Sequence, residues 1–63
     1  MKKTNYIVRR ALFDTGLYLY ELGDLLGKSV PTMTRYMRKE QPEEVQKEWA
    51  RLIREEAERR AKA

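Results

Sequence analysis

GLYLYELGDLLGKSVPTMTRYMRKEQP, residues 16–42, sets two glycines four apart in a leucine-rich run and follows them with Met33 and Tyr36, six and nine residues after Gly27. Each spacing has a steric basis. Two helices joined by a turn of roughly three or four residues, crossing at roughly 90 to 120°, approach so closely that the first tolerates nothing larger than Ala or Gly at the crossing, here Gly23. Gly27 falls where that helix must stop, and without a Cβ it takes the left-handed conformation that ends helices. Leu22 and Leu26 are i, i+4 neighbours on the first helix, while Met33, Tyr36 and Met37 form an apolar stripe on the second, so the two share one core. Ser29 ahead of Pro31 is a good cap and first turn for the second helix. An ordinary antiparallel helical pair needs neither glycine at these intervals.

Working outward, the residues before this stretch predict a helix from about 4 or 5 to 13, with Val8, Ala11 and Leu12 turned inward. Asp14, Thr15 and Gly16 close it, and Leu17 packs into the core. The two motif helices run from about 18 to 26 and from about 31 to 39. Pro42 with Glu43 and Glu44 behind it opens a fourth helix, since proline suits a first turn and acids there complement the helix dipole. That helix carries Val45, Trp49, Leu52 and Ile53 on one side. Pairs such as Glu44 with Lys47, Glu55 with Arg59 and Glu58 with Lys62 support it, and a frayed tail is expected from about 58. The fold class is all-α: a compact bundle of four, or at most five, short helices forming a single domain over residues 1–63.

The chain of 63 residues has no cysteine and no histidine, which removes disulfides, zinc fingers and imidazole or thiolate catalysis by inventory. No cofactor, metal or small-molecule substrate is expected, and the abundant carboxylates read as helix-surface charge rather than as an enzyme's acid and base. The basic start is not followed by an apolar run, and no segment approaches the roughly 18 apolar residues of a membrane span, so a cytoplasmic protein is expected. A chain this small buries only about 60% of its unfolded surface, and oligomerisation would help it.

The net charge of +4 is unevenly spread. Lys2, Lys3, Arg9 and Arg10 come without an acid, Asp14, Glu21 and Asp24 then come without a base, and Lys28, Arg35, Arg38 and Lys39 are again unopposed, whereas the tail mixes both signs. Positive charge is concentrated on the N-terminus and on the second motif helix, where a phosphate backbone would lie.

The segment with Leu22, Gly23, Leu26, Gly27, Ser29 and Met33 at pattern positions resembles the helix-turn-helix of phage repressors, the lambda-repressor-like or Xre family. It is more closely similar to short proteins of bacterial prophages and mobile elements, through Tyr20, Thr34-Arg35, Arg38, Glu40 and Pro42-Glu43-Glu44. The resemblance spans about residues 5 to 53. It implies a helical domain whose second motif helix enters the major groove of double-stranded DNA, acting as a transcriptional regulator.

With Met33, Tyr36 and Met37 inward, the outward side of that helix offers Val30, Pro31, Thr34 and Arg35 to base edges. Arg35 is the best reader, because a guanidinium can bond guanine O6 and N7 together. Val30 and Pro31 suit thymine methyls but form no directional side-chain bonds. Tyr18, Lys28, Ser29, Thr32, Arg38 and Lys39 are assigned to phosphates. The stem of Lys28 is expected on the core, and Leu19 and Tyr20 are expected to brace the first helix. Trp49 has two readings, an anchor for the fourth helix or, with Leu52 and Ile53, part of a homodimer interface. The apolar Tyr18-Leu19-Tyr20 string also admits a protein partner, which would make the domain an antirepressor, a recombination accessory factor or an inhibitor.

Overall fold

The computed structural model describes residues 4–63, and among them every regular element is helical. Helix α1 spans Tyr6–Thr15, α2 Leu19–Leu26, α3 Val30–Arg38 and α4 Glu43–Lys62. Lys2 and Lys3 lie outside the described residues. The molecule measures 35 × 25 × 18 Å, and α4, at about 30 Å for its twenty residues, sets the long dimension. No helix is long and apolar enough to cross a membrane among the described residues.

The boundaries follow from the residues at them. Gly16 ends α1 in the left-handed conformation, its N–H donating to the Leu12 carbonyl at 2.9 Å. Gly27 ends α2 at φ 69°, with its own N–H on the Asp24 carbonyl and the Lys28 N–H on the Gly23 carbonyl at 2.8 Å. That paired arrangement is a Schellman motif, and it uses carbonyls that the end of α2 would otherwise leave bare. Pro31 sits in the first turn of α3, where its missing N–H costs no helical bond. Helix α4 begins after Pro42, with Glu43 and Glu44 in its first turn and Arg59, Arg60 and Lys62 in its last, matching the dipole at both ends.

Val8, Ala11, Leu17, Leu22, Met33, Met37, Ala50 and Ile53 form the buried core, and Ile7, Leu12, Leu19, Leu26, Tyr36, Trp49 and Ala57 pack around it. Helix α4 packs chiefly on α1 and also touches α2, while α3 packs on α2. The inward stripe of α4 differs from the expected one. Gln46, Ala50 and Ile53 are buried, whereas Val45, Trp49 and Leu52 are only half-buried along its flank. The helix is rotated by about one residue: Gln46 finds polar partners inside, and the small Ala50 enters the core. Trp49 still anchors, from the edge, with its indole stacked on Tyr36 at 6.0 Å between centroids. Ile53 has no exposed surface and thus nothing to offer a second copy, which corrects its place in the expected interface.

One further expectation changes at the start of α2. Its inward positions are Leu19, Leu22 and Gly23, so Leu19 packs on the core as expected while Tyr20 faces outward, half exposed and stacked on Tyr18. Glu21 caps this helix, accepting the Tyr18 N–H at 2.7 Å and the Arg60 guanidinium at 2.5 Å. It therefore ties the start of α2 to the far end of α4. The Tyr18 N–H, followed by Arg60, holds the Glu21 carboxyl below its ordinary value of 4.5. Elsewhere on α4, Glu58 pairs with Lys62 as expected, but Lys47 takes Glu43, Glu55 takes Arg51 and Arg59 takes Glu56.

The close approach at Gly23 is tighter than the sequence implies. A Cβ built there would lie 2.8 Å from the Lys28 carbonyl oxygen and 3.0 Å from Met33 Cγ. Alanine is better than glycine in a helix by about 1 kcal/mol. Here the obstacle is backbone, and the residue that carries it is anchored by the bond of the Lys28 N–H to the Gly23 carbonyl, so overpacking at about 1–3 kcal/mol prevails. Gly23→Ala is expected to lower the thermal midpoint, by roughly 4–8 °C for each kcal/mol in a domain of this size. An unchanged or raised midpoint in a calorimetric scan would refute the crowding.

Because the Glu21 carboxyl is held low in the folded state, its stabilisation is complete above the ordinary carboxylate value and is lost as acid drives the pH down through the lowered one. Thermal melts should therefore fall more steeply below about pH 4.5 for the native protein than for Glu21→Gln. Parallel curves would show that the cap and the Arg60 bond contribute nothing on folding.

Candidate nucleic-acid interface

Helix α3 is nine residues long, shorter than the roughly 12–15 that a helix needs to persist alone, and one side of it is bare. Its N-terminal end is held through the Gly27 turn and the burial of Met33. Ser29 occupies the cap position, yet its hydroxyl bonds the Thr32 hydroxyl at 2.9 Å instead of a backbone N–H. Its C-terminal end is held by side chains from elsewhere. Asn5, immediately before α1, is fully buried and left-handed at φ 58°, a conformation that Asn tolerates better than most residues. Its Nδ2 donates to the Met37 carbonyl at 3.1 Å and the Lys39 carbonyl at 2.9 Å, and its Oδ1 accepts the Gln41 N–H at 2.7 Å. Gln41 Nε2 donates to the Tyr36 carbonyl at 2.8 Å. The last carbonyls of α3 are thus capped by side-chain amides.

The same cluster caps α1. The Glu40 carboxylate accepts the Asn5 N–H at 2.8 Å, and Gln46 Oε1 accepts the Ile7 N–H at 3.2 Å. Gln46 Nε2 then donates to Glu40 and to the Gln41 carbonyl, both at 2.8 Å. No buried side-chain nitrogen or oxygen among the described residues lacks a partner. This network lay beyond sequence reasoning, which had no role for Asn5, Gln41 or Gln46. Their partners lie mostly more than thirty positions away, and an asparagine one residue before a helix reads only as an ordinary cap.

With both ends fixed, α3 turns Val30, Pro31, Thr34, Arg35 and Arg38 to one shallow depression on the surface. All four residues assigned to base edges, Val30, Pro31, Thr34 and Arg35, therefore share one exposed face with Arg38. Lys28 and Lys39 lie exposed in the backbone segments at either end of the helix. Lys28 is exposed, and its backbone carbonyl lies close against Gly23. Ser29 is exposed and Thr32 half-buried, their hydroxyls already paired with each other. Tyr18 is exposed beside the start of α2, with its ring stacked on Tyr20 at 5.9 Å and 13°.

The charges segregate sharply. Arg10, Lys47, Arg51, Arg54, Arg59, Arg60 and Lys62 each pair with a carboxylate. Arg9, Lys28, Arg35, Arg38 and Lys39 pair with none among the described residues. Four of these five belong to α3 or its flanking turns. The fifth, Arg9, stands on α1 and lines a groove with Thr34 and Arg38. Its neighbour Arg10 is neutralised by Asp14 at 3.1 Å, a distinction that two adjacent arginines in a sequence cannot express.

Comparison of the chain with protein-family models, with curated proteins and with solved structures finds no match.

The geometry at the end of α3 generates a stability prediction. Asn5→Asp keeps the shape but exchanges the two N–H donors for a carboxylate aimed at two carbonyls, and each buried group left unsatisfied costs about 1–3 kcal/mol. A domain of this length holds roughly 3–9 kcal/mol in all. Denaturant titration is expected to show most of that stability lost; a variant with the native midpoint would mean that the amide does not cap α3.

Proposed function

We propose that this chain is a small double-stranded DNA-binding protein, a transcriptional regulator of the phage or mobile-element type, acting in the cytoplasm with α3 in the major groove. One observation carries the reading: the cations without acidic partners are gathered around the exposed face of a helix that is rigidly held at both ends. Unpaired cations on a solvent face are what counterion release from DNA requires. In this reading Arg35, together with Val30, Pro31 and Thr34, meets base edges, while Lys28, Arg38 and Lys39 meet phosphates. Ser29, Thr32 and Tyr18 are assigned weaker phosphate contacts through their hydroxyls. A second copy on an inverted repeat would place the two half-sites roughly 34 to 36 Å apart. Trp49 and Leu52, half-buried on α4, are the parts of the expected interface that retain exposed surface for it.

A second reading, a module that grips another protein, draws on Phe13, which is 84% exposed, and on the stacked Tyr18 and Tyr20. Exposed aromatics of this kind are common at protein interfaces. It is favoured if a stoichiometric protein survives nuclease treatment in affinity purification from the native host while no duplex binds.

Fluorescence anisotropy with labelled duplexes at two salt concentrations tests the first reading, with binding expected to weaken steeply as salt rises. Selection of sites from a random pool then separates the roles. Arg35→Ala should relax sequence preference by about 1–3 kcal/mol at one position. Lys39→Ala should weaken all duplexes alike. No binding at low salt would sink the proposal, and equal effects of both substitutions would sink the division of labour.

A further inference from the structure

Between α1 and α3 runs a groove lined by Thr4, Arg9, Leu19, Thr34, Met37 and Arg38. Two arginines on different helices face this one space, and neither pairs with a carboxylate among the described residues. In a chain that neutralises every described arginine except Arg9, Arg35 and Arg38, this is an unusual placement. Like charges lining one groove raise the free energy of the empty protein, and an anion between them reverses the sign.

Arg9 is also held in position. Its Nε donates to the Thr4 carbonyl at 2.7 Å, a neutral partner that orients the guanidinium without cancelling its charge. The backbone beneath it is fixed by the Arg9 N–H on the Asn5 carbonyl at 3.0 Å, and Asn5 is itself bonded to the end of α3. Leu19 and Met37 make one wall of the groove apolar, which strengthens any charge interaction beside it, and Thr34 supplies a hydroxyl. The set of donors suits a tetrahedral oxyanion: two guanidinium forks, which match phosphate oxygens, and one hydroxyl.

We propose that this groove binds a phosphate group, with Arg9 and Arg38 on either side of it, and that the group is a phosphodiester of the DNA lying on α3. The inference rests on the DNA-binding reading for its source. Thr34 and Arg38 line both this groove and the depression on the outer face of α3, so one strand passes continuously from the base-reading face to the groove. Arg9 thereby becomes a backbone contact supplied by α1, and it positions the duplex without reading its sequence.

The test measures binding of a fluorescent random-sequence duplex over a salt series for the native chain, Arg9→Gln, Arg9→Lys, Arg38→Gln, the Arg9→Gln/Arg38→Gln pair, and Arg54→Gln. Arg54 lies outside the groove, against Asp14, and controls for net charge. Arg9→Gln is expected to bind more weakly while nearly keeping the slope of log affinity against log salt, because Arg38 still holds the phosphate. Arg9→Lys should keep the slope and lose part of the affinity, because it keeps the charge and not the fork. The double variant should flatten the slope by about 0.9, the value of one phosphate contact, since only then is the phosphate left without an arginine. If the native chain binds DNA and Arg9→Gln behaves as Arg54→Gln does, the groove proposal fails while the DNA reading stands. Titration with inorganic phosphate, followed by NMR of the arginine side chains, separates the source. Shifts at Arg9 and Arg38 in a chain that binds no duplex would keep the phosphate site and overturn its assignment to DNA. Absence of both responses overturns the two together.

Discussion

The amide of Asn5 is the constraint on which the arrangement of this small domain turns. A helix that offers one face to solvent has only its other face and its two ends by which to be held. For α3 the buried face contributes Met33 and Met37, and the ends must do the rest. At one end the left-handed Gly27 and the bare Gly23 allow the backbone of the turn to lie against α2. At the other, Asn5 and Gln41 take up the carbonyls of Tyr36, Met37 and Lys39. Each bond is modest by itself, but these groups are taken from water together, and a group left without its partner would cost more than the bond contributes. The polar cluster therefore selects one position of α3 relative to α1 and α4, where apolar packing alone would allow neighbouring ones.

Electrostatics follows a related division. Along α4 the acids and bases alternate at helical spacing and discharge one another, and Glu21 and Asp14 draw in Arg60 and Arg54 from that helix. Such exposed pairs contribute little to stability. Their effect is to leave the far side of the molecule electrically quiet, so that Arg9, Lys28, Arg35, Arg38 and Lys39 dominate the local field.

What the sequence revealed, and what it withheld, divides by the range of the interaction responsible. The glycines, the prolines and the apolar spacings are local signals, and they predicted the four helices, the turn at Gly27 and the inward position of Met33. The all-α class needed nothing more. Gln46 defeated the same method: by composition α4 should have turned Trp49 inward, and a glutamine with an N–H, a carbonyl and a carboxylate waiting for it turned the helix instead. Tyr20 was misplaced for a simpler reason, because its aromatic character suggested packing while its position on α2 pointed outward. Among the candidate site residues, the sequence could group those on α3 by periodicity. Whether Arg9 or Arg10 belonged with them depended on which one met Asp14, and that is a property of the folded surface.

The register between α1 and α3 links stability to the site. Asn5 bonds the last turn of α3 with its side chain, and its own carbonyl accepts the N–H of Arg9 one helical turn further on. The position of Arg9 opposite Arg38 is consequently set by the same residue that caps α3. A slip of α1 by one residue would break the Asn5 bonds and rotate Arg9 by about 100° around its helix axis, away from the groove. The face with Val30, Pro31 and Thr34, beside the Gly27 turn at the opposite end of α3, would suffer less. The two ends of α3 are thus secured by different means. The backbone fit at Gly23 positions the end that carries Val30 and Pro31, and a buried amide positions the end that faces Arg9, so the groove between Arg9 and Arg38 depends on a residue that does not line it.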